Sequence, residues 1–543
     1  MLLDKNPSLI SWAVLSARTI GYLLLVCGVA IGITPAALRG EEALGIDGGK
    51  IRGSNDDSGV RSYKGIPFAA PPVGKLRWQP PQPLVAWEGT RDCTQFGAVC
   101  PQLPYPAGSM YVQKPQPQSE DCLFLNVWTA AKSAAERRPV LVWIHGGALT
   151  RGSGSIPPYD GTSLARKGAV VVTINYRLGP LGFFAHPSLS KESDHGSSGN
   201  YGMLDQIAAL EWVKRNIANF GGDPSRVTIF GESAGSWSVC YLVASPLAKG
   251  LFHGAIGQSG GAFAPMAFLK EEKHGVPSAE KVGERLVKEL DCEAAESAAE
   301  ALRAKTPDEL LAAAEKIGLR IRPNVDGWVL PDDVYAIFTA GKQNHVPVIV
   351  GSTADEGTTL AAALVPKTKE AYEAAARTKY GDLADEFLAV YPAATDEDVR
   401  GAFLASVRDE WFTWEMRTWA RLAERSGNAA YQYFFSHVPP SPNKAQNGAY
   451  HAAEILYVFD NLPTVDWPFS VDDRELAEDV SSAWVRFAAT RDPNGGDLPL
   501  WTTYDAAAQY YMALGDRIEP RRELLKAQCD FFDKFYAAKR ITP

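Results

Sequence analysis

Phe220-Gly221-Gly222-Asp223-Pro224-Ser225-Arg226-Val227-Thr228-Ile229-Phe230-Gly231-Glu232-Ser233-Ala234-Gly235 is the stretch whose reading decides the fold. Val227, Thr228 and Ile229 read as a short buried strand, closed by Gly231-x-Ser233-x-Gly235. Glycines two residues before and two after a serine permit a turn too tight for side chains at those positions, so the hydroxyl projects from the strand end. The same five residues also describe any strand that ends in a Gly-rich turn. The apolar strand in front and the apolar run behind (Trp237, Val239, Tyr241, Leu242, Val243) favour a nucleophile elbow.

Upstream of the elbow, Leu204 to Ile217 has helical spacing of apolar positions (Leu204, Ile207, Leu210, Val213, Ile217). Val170 to Tyr176 is a buried strand rich in β-branched residues, so strand, helix and strand follow in the order of a parallel sheet. Leu123–Trp128 and Val140–Ile144 read as earlier strands. The second runs into His145-Gly146-Gly147-Ala148, where backbone N–H groups are free to face a ligand, as an oxyanion hole requires. Gly65 to Gly74 is too rich in proline for a helix or a central strand and reads as an extended connector.

Downstream, Leu251 to Gln258 is strand-like and ends in Ser259-Gly260-Gly261. Residues 271–314 are helix-prone and charged, as expected of an insertion over the sheet. Val346 to Gly351 is an apolar strand leading into Asp355-Glu356-Gly357, an acidic pair at a strand's C-terminal end. Helical segments fill 370–425, and Ala430–Phe435 reads as the last strand. His451 then falls in a loop before an apolar helix start. Serine, acid and histidine therefore occur in the chain order of α/β enzymes with a nucleophile elbow.

The bulk properties suit such a chain. Of its 543 residues, 46% are hydrophobic and 22% charged, which supports a large core. A net charge of −9 argues against nucleic acid or an anionic membrane surface as partner. Lys5 and Arg18 precede an apolar run from Ile20 to Ile33, followed by Pro35-Ala36-Ala37, so residues 1–37 are expected to be a signal peptide. The rival reading is an uncleaved anchor, since Ile20 to Leu38 is marginally long enough to span a membrane. Cleavage implies an exported, periplasmic or secreted protein without stable membrane association, with residues 38–543 as one domain. Cys27 follows Val26, too bulky for a lipoprotein site. In an oxidising compartment the other six cysteines gain meaning. A Cys100–Cys122 bridge would staple a Pro- and Gln-rich loop. Cys93, Cys240, Cys292 and Cys529 read as buried thiols, because no metal-binding spacing occurs.

These residues together resemble the type-B carboxylesterases, the family of cholinesterases and bacterial aryl-ester hydrolases. The nucleophile signature Phe220–Gly235 matches at every restricted position. Glu120-Asp121-Cys122-Leu123-Phe124-Leu125-Asn126-Val127-Trp128 matches a second, departing at Ala130, where proline is usual. Gly65-Ile66-Pro67, Asn175–Gly179, Gly199–Gly202, Asp205-Gln206 and Asp492–Asn494 also fit, so the resemblance spans about residues 44 to 535.

The resemblance implies an α/β-hydrolase fold: a large, mostly parallel twisted sheet flanked by helices, with helical insertions over the active-site face. It implies Ser233 as nucleophile, Glu356 as acid and His451 as base of a serine esterase acting through an acyl-enzyme on a small ester substrate. Gly147, Ala148 and Ala234 fall at the oxyanion-hole donors, with Gly146 supporting the turn. Ala148 replaces a usual glycine and keeps its N–H. Ser259 matches a serine that hydrogen-bonds near the triad, and Glu454 another supporting position. Glu232 is widespread in the family and does not identify a choline site. Cys100 and Cys122 match a typical disulfide, and no metal or organic cofactor is implied.

Three functions follow as expectations. The first is a general short-chain or aryl carboxylesterase. The second rests on Arg151, in Ala148-Leu149-Thr150-Arg151-Gly152, where relatives carry a small or apolar residue. A guanidinium at the pocket mouth could pair with a substrate carboxylate, favouring polycarboxylate esters such as the tricarballylate esters of fumonisin-type toxins. The third is a catalytically dead binding or adhesion protein on this scaffold, disfavoured by an intact Ser233, Glu356 and His451.

Overall fold

The computed structural model describes residues 43–293 and 297–541. The expected signal peptide, with Lys5, Arg18 and Cys27, lies outside the described residues. In chain order the strands are β1 (Leu44–Ile46), β2 (Gly49–Arg52), β3 (Ser54–Asn55), β4 (Arg61–Pro67), β5 (Thr90–Asp92), β6 (Phe124–Thr129) and β7 (Arg138–Ile144). There follow β8 (Val170–Ile174), β9 (Gly222–Glu232), β10 (Gly254–Gln258), β11 (Val348–Thr353), β12 (Ala430–Phe435), β13 (Tyr510–Leu514) and β14 (Ile518–Arg522). Strands β1, β2 and β5 make a small sheet. The others form an 11-stranded sheet in the order β14-β13-β12-β11-β10-β9-β7-β8-β6-β4-β3.

From β13 across to β8 every neighbouring pair is parallel, and antiparallel strands close both edges. The parallel centre follows from residue type. In β7, Val140, Val142 and Ile144 enter one core while Leu141 and Trp143 enter the core on the opposite face. Alternate residues of a strand face opposite sides, so a strand covered on both sides must be apolar throughout. Trp143 anchors the second core, with Tyr159, Phe230 and Phe459 ring centres at 4.9, 4.8 and 5.0 Å. Each fully buried side chain of this size contributes about 1.5–3 kcal/mol by leaving water.

The helix read over Leu204–Ile217 runs over Tyr201–Asn216, and Ala234–Ala244 follows the elbow directly. Helices Ala279–Glu289, Ala298–Arg303 and Pro307–Lys316 fill the helix-prone region 271–314. Two segments differ from the expectation. Ala430–Phe435 is not the last strand, because β13 pairs with it in parallel and β14 returns along the edge, where Pro520 is tolerated. Gly65-Ile66-Pro67 ends a strand rather than lying in a connector; its register slips between Tyr63 and Ile66, next to the sheet edge. No helix among the described residues is long and apolar enough to cross a membrane.

Candidate active site

The parallel register brings the C-terminal ends of β7, β9, β10, β11 and β12 to one edge. Ile144 pairs with Gly231, Gln258 with Glu232 and with Gly351. Open parallel sheets bind ligands at that edge. Ser233 is the first residue beyond β9 and has φ 56° and ψ −123°, backbone that an L residue adopts only under strain. The turn closes because Gly235 has no side chain: a Cβ there would lie 2.0 Å from the Ile144 carbonyl oxygen.

Beyond β11, Glu356 is fully buried. One of its carboxylate oxygens accepts the Thr353 N–H at 2.8 Å, and the other lies 2.5 Å from His451 Nδ1. The neighbouring acid sets this geometry. Asp355 makes a parallel bridge with Tyr450, its N–H donates to the Ala449 carbonyl at 2.9 Å, and its carboxylate accepts the Ala449 N–H at 2.8 Å. The acid loop and the histidine loop are thus zipped together one residue before each functional side chain. Tyr111 donates to the His451 carbonyl at 2.9 Å, and Phe412 packs at 4.8 Å from its ring. Phe412 comes from a π-turn over Asp409–Thr413.

The other ring nitrogen, Nε2, lies 3.1 Å from Glu232 Oε1, close enough for an ion pair but not aligned as a hydrogen bond. No hydrogen bond among the described residues joins Ser233 Oγ to the imidazole. Three carboxylates therefore surround one buried histidine. Burial opposes charge on His451, but Glu232 and Glu356 overcome it and raise its pKa to about 9. Burial raises Glu232 to about 8 against the pull of His451. Burial and the charge of Glu356 raise Glu454 to about 7. Glu454 accepts hydrogen bonds from Gln258 at 3.3 Å and Tyr433 at 3.2 Å.

The loop after β7 carries consecutive positive φ angles: 103° at Gly147, 56° at Ala148 and 61° at Leu149. A Cβ on Gly147 would collide with the Arg151 carbonyl oxygen at 2.2 Å, so that position requires glycine. Arg151 and Thr150 both donate their N–H to the Gly147 carbonyl at 3.0 Å, curling the loop. His145 is stacked on Tyr176 at 4.5 Å, and burial lowers its pKa to about 4, which keeps it neutral. Ala234 opens its helix, so its N–H has no intrahelical acceptor. Gly146 packs against Glu232 and Ser233.

Two cavities meet at Ser233, both lined by Ala148, Ser233 and Leu360. The larger, about 780 Å³, extends past Trp237, Trp411 and Phe412 to Arg320 and Arg322. The smaller, about 270 Å³, is lined by Tyr105, Tyr111, Tyr159 and Trp467 and includes His451 and Arg151. Trp237, one helical turn beyond Ser233, was legible from i,i+4 spacing. Tyr111, Phe412 and the two arginines carry no local signal that links them to the serine.

Four expected residues, Cys100, Cys122, Ser259 and Arg151, have surroundings other than those expected. The Cys100–Cys122 bridge is not formed: both are buried free thiols, and hydrogen bonding to Cys100 together with burial raises the Cys122 thiol well above its usual range. Cys100 Sγ instead accepts the Leu178 N–H at 3.2 Å. The Ser259 hydroxyl is buried at the end of β10 without a hydrogen-bond partner among the described residues. Arg151 borders the smaller cavity but is engaged by protein. Its Nε reaches the Leu103 and Pro104 carbonyls at 3.1 and 3.2 Å, its guanidinium lies 5.7 Å from the Tyr105 ring centre, and Glu315 stands 4.0 Å away.

The model of the carboxylesterase family matches residues 41–532. Fumonisin B1 esterase of Sphingopyxis macrogoltabida is 38% identical over 491 residues, covering 87% of this chain and 86% of that protein. Para-nitrobenzyl esterase of Bacillus subtilis (strain 168) is 35% identical over 489 residues, covering 87% and 94%. A solved PNB esterase structure superposes with a TM-score of 0.77 at 33% identity, covering 90% of this chain and 99% of that one.

Proposed function

This chain belongs to the carboxylesterase family, has the α/β-hydrolase fold and is a carboxylic ester hydrolase, and we propose that it works through a Ser233–His451–Glu356 triad and an acyl-enzyme. The observation that carries this reading is the 2.5 Å contact between His451 and Glu356 at the same sheet edge as the strained Ser233 elbow. His451 Nε2 takes the Ser233 proton as the hydroxyl attacks the ester carbonyl, and Glu356 fixes the imidazole and stabilises its charge. The N–H groups of Gly147, Ala148 and Ala234 receive the oxyanion, each worth on the order of 3 kcal/mol. The tetrahedral intermediate expels the alcohol, which takes the proton from His451. Water then attacks the acyl-enzyme by the same path. Catalytic hydrogen bonds are commonly loose without substrate, which fits a His451 that turns from Glu232 toward Ser233 on binding.

The cavities on either side of Ser233 give separate room to the acyl and alcohol parts, which suits esters larger than short-chain ones. The aromatic lining of the smaller cavity fits an apolar or aryl group. Ser233→Ala is expected to lower kcat/KM on a p-nitrophenyl ester by at least about 10⁴-fold with the fold intact by circular dichroism. Retained turnover in that variant would overturn the assignment.

A further inference from the structure

Arg320-Ile321-Arg322-Pro323 forms one wall of the larger cavity, and its two cations have no carboxylate within ion-pair distance among the described residues. Arg320 makes no hydrogen bond or ion pair among the described residues. Arg322 makes no hydrogen bond or ion pair among the described residues; its guanidinium stacks 4.3 Å from the Trp237 ring centre and its charge acts on buried Glu415 and Tyr241. Both are exposed and both line the cavity that reaches Ser233. Arg320 also lines an adjoining cleft of about 380 Å³, shared with Arg151. By contrast, Arg177 is held by Asp205 at 2.7 Å, Arg77 by Glu120 at 2.6 Å, and Arg491 by the His253 carbonyl at 2.9 Å.

The wall is fixed at both ends. Gly318, at φ 57°, ends the helix Pro307–Lys316 with its N–H on the Glu315 carbonyl. At the other end Asn324 is fully buried, its N–H on the Asn200 side chain at 3.0 Å and its amide on the Ser198 carbonyl at 3.0 Å. Trp237 stands on the elbow helix, so the stack ties Arg322 to the element that carries the nucleophile. The acids that share the cavity are otherwise occupied. Glu410 pairs with Lys379 at 2.5 Å, and Glu415 accepts the Phe263 and Ala264 N–H groups. A molecule of net charge −9 thus presents unneutralised cations at its catalytic cavity.

We propose that Arg320 and Arg322 form an anion-recognition subsite, and that the preferred esters carry free carboxylates on the part that fills the larger cavity. This rests on the serine-esterase reading and names its substrate class. Two guanidiniums separated by one residue suit two carboxylates, because each planar fork can hold one by paired hydrogen bonds. The assignment moves the anionic contact from Arg151, which clamps the Leu103–Tyr105 loop, to residues whose donors are free.

Two measurements test it. In wild type and Arg320→Gln/Arg322→Gln, kcat/KM is compared for a propane-1,2,3-tricarboxylate monoester and a neutral ester of the same alcohol. The anionic-to-neutral ratio is expected to fall about 10- to 100-fold in the double variant, the size of lost charge-assisted hydrogen bonds. In wild type the same ratio falls as salt is raised. An unchanged ratio overturns the proposal. Calorimetric titration of Ser233→Ala with propane-1,2,3-tricarboxylate isolates the subsite from catalysis. Binding that is lost when both arginines are replaced supports it, and absent or unaltered binding contradicts it. Binding that depends on the arginines, in a wild type that turns over neither ester, would sink the esterase reading and leave the subsite standing.

Discussion

Ser233 and Ala148 both hold φ 56°, a backbone region that residues with a Cβ avoid at a cost on the order of 1 kcal/mol each. Both flank the point where the ester carbonyl would sit, so strain and proposed chemistry coincide. The charges there have a consequence for pH. Glu232 and Glu356 hold the His451 imidazole above its usual range, so its proton is lost at higher pH than a free imidazole's and kcat/KM should rise along an acid limb displaced upward. Glu232 is the largest cause that raises it. Glu232→Gln removes that charge, lowers the His451 pKa and should move the limb to lower pH. The pair titrates together, so the limb is a property of both groups. A pH–rate profile from pH 5 to 10 checks this; a limb that stays in place would mean Glu232 does not hold the proton on His451.

At the scale of elements, catalytic alignment depends on the pairing of two loops. Asp355 joins the loop after β11 to the loop before the helix Ile455–Val458 through two hydrogen bonds to Ala449. Asp355→Ala should lower kcat by up to about 100-fold with little change in KM, the cost of displacing His451 by a fraction of its reach. Equal effects on KM and stability alone would show that the bridge merely holds the fold. The elements themselves were largely legible: apolar runs located the central strands because both their faces are buried. β13, β14 and the small N-terminal sheet were not, since short strands at edges carry neither a long apolar run nor clean alternation. Arg151 illustrates the same limit for a side chain. Its place near the pocket followed from neighbouring residues, but its partners, the Leu103 and Pro104 carbonyls, are 48 and 47 residues away in sequence.

For the whole molecule, a single edge of an 11-stranded sheet gathers groups drawn from residues 146 to 454. The chain order of Ser233, Glu356 and His451 was readable because strand order forces it. Cavity walls were not, because Arg320, Trp411 and Tyr111 come to line the cavities at Ser233 only through packing of separate segments. Cys100 and Cys122, 22 positions apart, are brought into hydrogen-bond contact as buried thiols. In the proposed mechanism Ser233 is acylated during turnover. Acid-quenching the enzyme during hydrolysis of a slow ester, then measuring intact and peptide masses, tests it most directly. An added acyl mass is expected, confined to the peptide that contains Ser233 and absent from Ser233→Ala. Steady turnover with no adduct, or an adduct on another residue, would contradict it.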